Sequence, residues 1–155
     1  MPHIGNPIQN AMQQEWQQGG FVISTDPTRL DVERVFHYLA YESYWANGRT
    51  RAMIERSIAH SLAFGIYKDR QQVGFCRVVT DYATFAWLCD VFVLEPFRGL
   101  GLSKWMMEIV TLHPELQGVR RWMLGTKDAQ ELYRQYGFTE LNPDIRWMQR
   151  LTELA

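Results

Sequence analysis

Two glycines in Arg98-Gly99-Leu100-Gly101-Leu102-Ser103 stand between the apolar run Val91–Leu94 and a helical pattern that begins at Leu102. At such a junction the first amides of the helix have no intrahelical partner and point outward, and glycine lets a ligand approach the backbone closely. The turn is therefore a candidate anion site, to which Ser103 adds a hydroxyl. Its spacing excludes two better-known phosphate loops. No Gly-Lys-Ser/Thr follows, and Lys104 holds the place of the third glycine in G-x-G-x-x-G. A plain glycine turn joining strand to helix is the alternative. Asp90 is the second candidate, since it is the only charged residue of "TFAWLCDVFVL". A carboxylate in such a strand needs a partner, for which Arg77 and Arg49 are available, or a function, and burial would raise its pKa toward that of a general base. Base and structural roles both stay open. Tyr133 is the third candidate. Its phenol can donate a proton, yet it falls on the apolar side of a short helical pattern, where an ordinary core tyrosine also fits.

These residues need elements to hold them. "FVIS" reads as a first strand ended by "TDP". Val32, Val35, Phe36, Leu39 and Ala40 share one helix face behind Asp31, and Ile54, Ile58 and Leu62 share another from about Thr50, with "SYWANGRT" between the two. "LAFGIY", "VGFCRVVT" and "TFAWLCDVFVL" are strand-like runs joined by short turns, the pattern of an antiparallel meander. Leu102, Trp105, Met106, Ile109 and Val110 recur at helical spacing until His113-Pro114. "VRRWMLGT" is another strand, Ala129, Leu132, Tyr133 and Tyr136 form a short helix face, and Gly137-Phe138 with "IRWMQRL" supply closing strands. The expected fold is mixed α/β (α+β), a mostly antiparallel twisted sheet of six to seven strands flanked by about four helices. No internal repeat is visible.

The same stretches resemble the GNAT superfamily of acyl-CoA-dependent N-acyltransferases, as a small bacterial-type member. The family's cofactor motif, Gln/Arg-x-x-Gly-x-Gly/Ala, is similar to Arg98–Ser103, approached through Val93-Leu94-Glu95-Pro96-Phe97. A second signature, A-x-x-L-Y-x-x-x-G-F, is matched by Ala129–Phe138, and the resemblance covers about residues 21–151. It implies acetyl-CoA as cosubstrate. Val91, Phe92 and Val93 would pair with the pantetheine arm beside a bulge in that strand, and an amide near Val93 would face the thioester carbonyl. The turn formed by Arg98, Gly99, Leu100, Gly101, Leu102, Ser103 and Lys104 would hold the pyrophosphate. It also implies Tyr133 as general acid toward the leaving thiolate and Asp90 as base. Tyr44, Trp45, Arg49 and Arg77 would line the acceptor side, where aromatics beside arginine suit a carboxylate or a ring. Two positions depart from the family: Ser103 replaces a Gly or Ala, and Thr126 stands where many members have an asparagine that contacts the cofactor.

The chain has 155 residues, 16 basic and 17 acidic, for a net charge of −1. That length suits one domain, and the charge balance gives no reason to expect nucleic acid or an anionic membrane as partner. Residues 1–20, rich in Gln, Asn and Gly, read as a flexible arm ahead of a single domain over 21–155. They lack the charged and apolar regions of a signal peptide, and no apolar stretch reaches membrane-spanning length. Cys76 and Cys89 sit in apolar runs and suit buried thiols in a reducing cytoplasm. His3, His37, His60 and His113 show no metal-ligand spacing, so no metal is expected. The expected function is acetyl transfer from acetyl-CoA to a primary amine of a small molecule, amino acid or peptide by direct attack, with Cys76 and Cys89 poor candidates for a covalent intermediate. A catalytically silent acetyl-CoA sensor is the alternative, and monomer and homodimer are both open.

Overall fold

The computed structural model describes residues 14–153. One six-stranded sheet runs through it in chain order: β1 Glu15–Gln18, β2 Phe21–Ser24, β3 Leu62–Lys68, β4 Gln71–Thr80, β5 Phe85–Val93 and β6 Arg121–Met123. Every neighbouring pair is antiparallel except β5 and β6, which are parallel. The helices are α1 Val32–His37, α2 Arg51–Ala59, α3 Leu102–Thr111 and α4 Gln130–Arg134.

Side-chain alternation along the strands divides the core into two layers. Ala63, Phe75 and Phe92 point to the side covered by α1 and α2, where Val35, Leu39 and Ile54 meet them. Phe64, Cys76, Val78 and Leu88 point to the other side, against Trp105, Met106 and Val110 of α3 and Tyr133 of α4. Asp31 and Thr50 start α1 and α2 by accepting the amides of Arg34 and Met53, which would otherwise be orphaned.

Three expectations change. Of the arm expected over 1–20, residues 1–13 lie outside the described residues, and Glu15–Gln18 form β1, an edge strand paired with β2 through a Gly19-Gly20 turn with both glycines at positive φ. Gly-Gly between two strands is a hairpin signal. "EWQQ" lacks strand-like alternation, because only Trp16 packs inward, against Phe64 and His113. The helix begun at Val32 passes after His37 into a π-helical turn, Tyr38–Glu42, closed by Ser43, whose amide bonds Tyr38 O and whose hydroxyl bonds Leu39 O. That wider turn sends the following residues over the sheet. The strands expected after Gly137 do not form. Leu141, Ile145, Trp147, Met148 and Leu151 are all exposed, so no buried face rewards a ladder there. Trp147 instead touches β6 through its side chain, with the Arg121 guanidinium 4.7 Å from its ring centroid.

Gly65 on β3 has the ring of Tyr67 folded over it, so an added Cβ would lie 2.3 Å from the Tyr67 hydroxyl oxygen and 2.6 Å from Cζ. Arg29 closes the stack from outside, 4.4 Å from the ring centroid. We expect Gly65→Ala to displace the ring and lower stability by about 1–3 kcal/mol, read as a lower urea midpoint with unchanged slope.

Candidate active site

The parallel pairing of β5 and β6 lasts only from Phe85↔Arg121 to Trp87↔Met123. Beyond it the two chains diverge and leave a cleft of about 430 Å³. Leu88–Val91 form one wall and Leu124–Ala129 the other, Tyr44, Trp45 and Arg49 reach in from the segment after the π-helical turn, and Tyr133 contributes from α4. A second cavity of about 280 Å³ shares Leu124, Gly125, Thr126 and Tyr133 with it. A larger hollow of about 910 Å³, between β6 and residues 136–143, contains none of the expected site residues.

The divergence has a local cause. Phe75 pairs with Phe92 and Arg77 with Cys89, so Asp90 and Val91 together oppose Cys76, which is a β-bulge. Asp90 sits in it at φ 55°, a left-handed conformation that aspartate tolerates better than most residues. Its side chain is 1% exposed. Oδ1 accepts from Trp45 Nε1 at 2.9 Å and Arg49 NH1 at 3.0 Å, while Oδ2 accepts from Arg49 NH1 at 3.0 Å and Arg77 Nε at 2.6 Å. An ionised carboxylate offers about four lone-pair directions, and these contacts use them. Arg77, expected on the acceptor side, stands behind Asp90. It also bonds Ser61 Oγ and is only 12% exposed, and it does not line the cleft. Arg49 does line it, a quarter exposed.

At the other end of β5, Leu94 N donates to Val73 O on β4. By the alternation of an antiparallel ladder, the amide and carbonyl of Val93 face away from β4. Val93 O receives Arg98 Nε at 2.9 Å, and Arg98 NH2 also reaches Tyr38 Oη at 3.1 Å, so Arg98 braces the turn from beneath. The Tyr38 ring in turn stacks on Phe92, with centroids 4.0 Å apart. Gly99 and Gly101 have φ 79° and 78°, with open space where a Cβ would be. Gly101 caps α3 without a side-chain bond. The first amide to find a helical partner is Trp105 N, on Gly101 O, which leaves those of Leu102, Ser103 and Lys104 turned outward. Leu100 and Lys104 are exposed beside them. Tyr136 Oη donates to Lys104 O at 2.8 Å, which fastens the first turn of α3 to the end of α4.

Tyr133 is 7% exposed, and its hydroxyl has no hydrogen-bond partner among the described residues. Burial is the largest cause pushing its phenol up to about 12, so at neutral pH it is a proton donor. Thr126 Oγ1 accepts from Ala129 N and so supports the start of α4. Tyr44 Oη accepts from Lys127 N at 3.1 Å and tethers the segment after the π-helical turn across the mouth. Cys89 lines the cleft with its thiol pushed up to about 11 by burial, so it is not a thiolate nucleophile at neutral pH. The sequence singled out neither Asp128 and Lys127 in the rim nor Tyr38 and Tyr136 as braces. Tyr38 and Tyr136 fall within helical apolar patterns, and "TKDAQ" looks like any polar loop.

The sequence profile of the GNAT acetyltransferase domain family matches residues 59–140. A Gibberella zeae protein named as an acetyltransferase is 32% identical over 142 residues, covering 77% of this chain and 79% of its own. The crystal structure of a GNAT-family acetyltransferase from Xanthomonas campestris superposes with a TM-score of 0.84 at 44% identity, covering 88% of this chain and 96% of that one. An acetyltransferase from Clostridium acetobutylicum, crystallised with acetyl-CoA, shares the fold with a TM-score of 0.59 at 12% identity, covering 77% and 86% of the two chains.

Asp90→Asn keeps the tolerated backbone conformation but leaves two largely buried guanidiniums without a counter-charge. We expect it to cost about 3 kcal/mol, the low end for breaking a buried pair because Arg49 remains partly solvated. For a domain of this size that is roughly a 10 °C fall in Tm, measurable by calorimetry.

Proposed function

The chain belongs to the GNAT acetyltransferase family, and on that premise we propose that it moves the acetyl group of acetyl-CoA directly to an amine of a small molecule, amino acid or peptide within the β5/β6 cleft. The observation that carries this reading is the free hydroxyl of Tyr133, held protonated inside the cleft that opens where β5 leaves β6.

The open space at Gly99 and Gly101 and the outward amides of Leu102, Ser103 and Lys104 fit a pyrophosphate, because a helix N-terminus favours an anion that can reach its N–H groups. Lys104 adds a cation, Leu100 and Arg98 shape the turn, and Thr126 contributes through the start of α4 rather than as an asparagine would. The edge of β5 at Val91, Phe92 and Val93, beyond the end of its pairing with β6, suits an extended arm that adds as a strand. The Val93 amide, turned away from β4, is the donor for the thioester carbonyl as negative charge grows on its oxygen.

The acceptor nitrogen attacks the acetyl carbon, and the C–S bond then breaks. Tyr133 donates to the departing sulfur. A thiol near pKa ~8.5 is a stronger acid than a phenol raised to about 12. Tyr133 therefore stabilises the sulfur by hydrogen bonding while the bond lengthens, and water completes the protonation. Asp90 takes the structural role, since its oxygens are already occupied by Trp45, Arg49 and Arg77. Its function is to hold Trp45 and Arg49 at the acceptor end, where the remaining edge of the Arg49 guanidinium and the rings of Tyr44 and Trp45 meet the acceptor. We place the enzyme in the cytoplasm, in keeping with two free cysteines. No helix among the described residues is long and apolar enough to cross a membrane.

The test is release of CoA thiol from acetyl-CoA across a panel of primary amines. We expect release with at least one amine. We also expect Tyr133→Phe to lower kcat about 10²-fold, with CoA affinity within about threefold of wild type. Because the phenol titrates only near 12, kcat should show no fall from this group between about pH 7 and 10. No thiol release with any amine, despite tight acetyl-CoA binding, would reject the reading.

A further inference from the structure

Direct transfer leaves one proton unassigned. After a neutral amine attacks the acetyl carbon, its nitrogen carries a proton that must leave before the amide forms, and Tyr133 cannot receive it because it enters the reaction protonated. The ionisable groups that line the cleft are few. Tyr44 and Arg49 come from the acceptor-side segment, Cys89 and Asp90 from β5, Lys127 and Asp128 from the loop before α4, and Tyr133 from α4.

Elimination among them is physical. Asp90 has its lone pairs filled by Trp45, Arg49 and Arg77. The Cys89 thiol and the Tyr133 phenol, raised to about 11 and about 12, are donors. Tyr44 Oη already accepts the Lys127 amide, and Arg49 and Lys127 are cations. No histidine lines the cleft. Asp128 alone remains. It is exposed at the rim, has no hydrogen bond or ion pair among the described residues, and lines the same cleft as Tyr44 and Arg49.

We propose that Asp128 is the residue that takes the proton from the acceptor nitrogen, a role that rests on the transferase reading above. The steps balance. The N–C bond forms, the N–H proton passes to a carboxylate oxygen of Asp128, and the C–S bond breaks with its electron pair going to sulfur beside the Tyr133 hydroxyl. The proton on Asp128 then returns through rim water to the thiolate, so an amine and acetyl-CoA become an amide and CoA with no net proton consumed. The exposure of Asp128 is what lets it hand that proton on. The opposite charges of Asp128 and Arg49 at one rim also favour acceptors that carry an amine beside an anionic or hydrogen-bonding group.

The probes are n-butylamine, glycylglycine and L-phenylalanine amide with acetyl-CoA, followed by thiol release from pH 6 to 10 for wild type, Asp128→Asn and Asp128→Glu. Asp128 is exposed and unbonded, so both variants should fold with wild-type Tm. We expect Asp128→Asn to lose about 10²-fold in kcat near neutral pH. Asp128→Glu should recover most of that loss, and added formate should raise the rate of Asp128→Asn but not of wild type. The proposal is overturned if Asp128→Asn stays within twofold of wild type at every pH, or if its loss lies wholly in KM and Asp128→Glu does not recover it. A wild type that releases no thiol with any probe overturns the transferase reading itself, and the role of Asp128 with it.

Discussion

A carboxylate buried to 1% exposure in the middle of a strand is the constraint on which the rest of this protein depends. Asp90 could not sit there unpaired, because an isolated charge in the interior is costly. Its three partners come from two places: Arg77 from the neighbouring strand, and Trp45 and Arg49 from the segment after α1. The left-handed kink at Asp90 aims the carboxylate at all of them, and the bulge that contains it bends β5 away from β6. One local feature therefore opens the cleft and also fixes the segment that carries Trp45 and Arg49 at its rim. Well-packed apolar residues in place of a buried ion pair often match its stability, but they would organise neither.

The glycine-turn end is braced differently. Arg98 ties the glycine turn to Val93 and Tyr38, Tyr38 stacks on Phe92, and Tyr136 clamps the first turn of α3 to the end of α4. The signature at residues 129–138 is thus tied by one hydrogen bond to Lys104, the residue that follows the signature at 98–103. Backbone amides that bind by position alone need such bracing, since nothing in their chemistry corrects a misplaced turn. The opposite end consists of loops tethered at Asp90 and at Lys127, and on the proposed reading selectivity can change there without disturbing the glycine turn.

What was legible in the sequence follows from where each signal resides. The glycine turn was visible because its chemistry needs residue types that few other roles need at that junction. Asp90 was visible as the lone charge in an apolar run. Its four bonds were not, since Trp45 and Arg49 lie far from it in sequence and the contacts arise only when the chain folds back. Strand β1 was hidden by its polar composition, although Gly19-Gly20 carried a hairpin signal. The closing strands expected after Gly137 do not form, because Ile145, Trp147 and Leu151, whose pattern suggests a buried face, are exposed. Asp128 had no distinguishing context at all. Its interest arises by subtraction, after every other ionisable group in the cleft has been accounted for.

On the proposed reading, the splay of β5 from β6 is a thioester cleft with the cofactor arm laid along β5. A crystal structure with bound CoA tests it most directly. The account predicts the pyrophosphate on the amides of Leu102, Ser103 and Lys104, the pantetheine along Val91–Val93, and the sulfur within hydrogen-bond reach of the Tyr133 hydroxyl. CoA bound instead in the hollow between β6 and residues 136–143, or with its sulfur directed away from Tyr133, would contradict it.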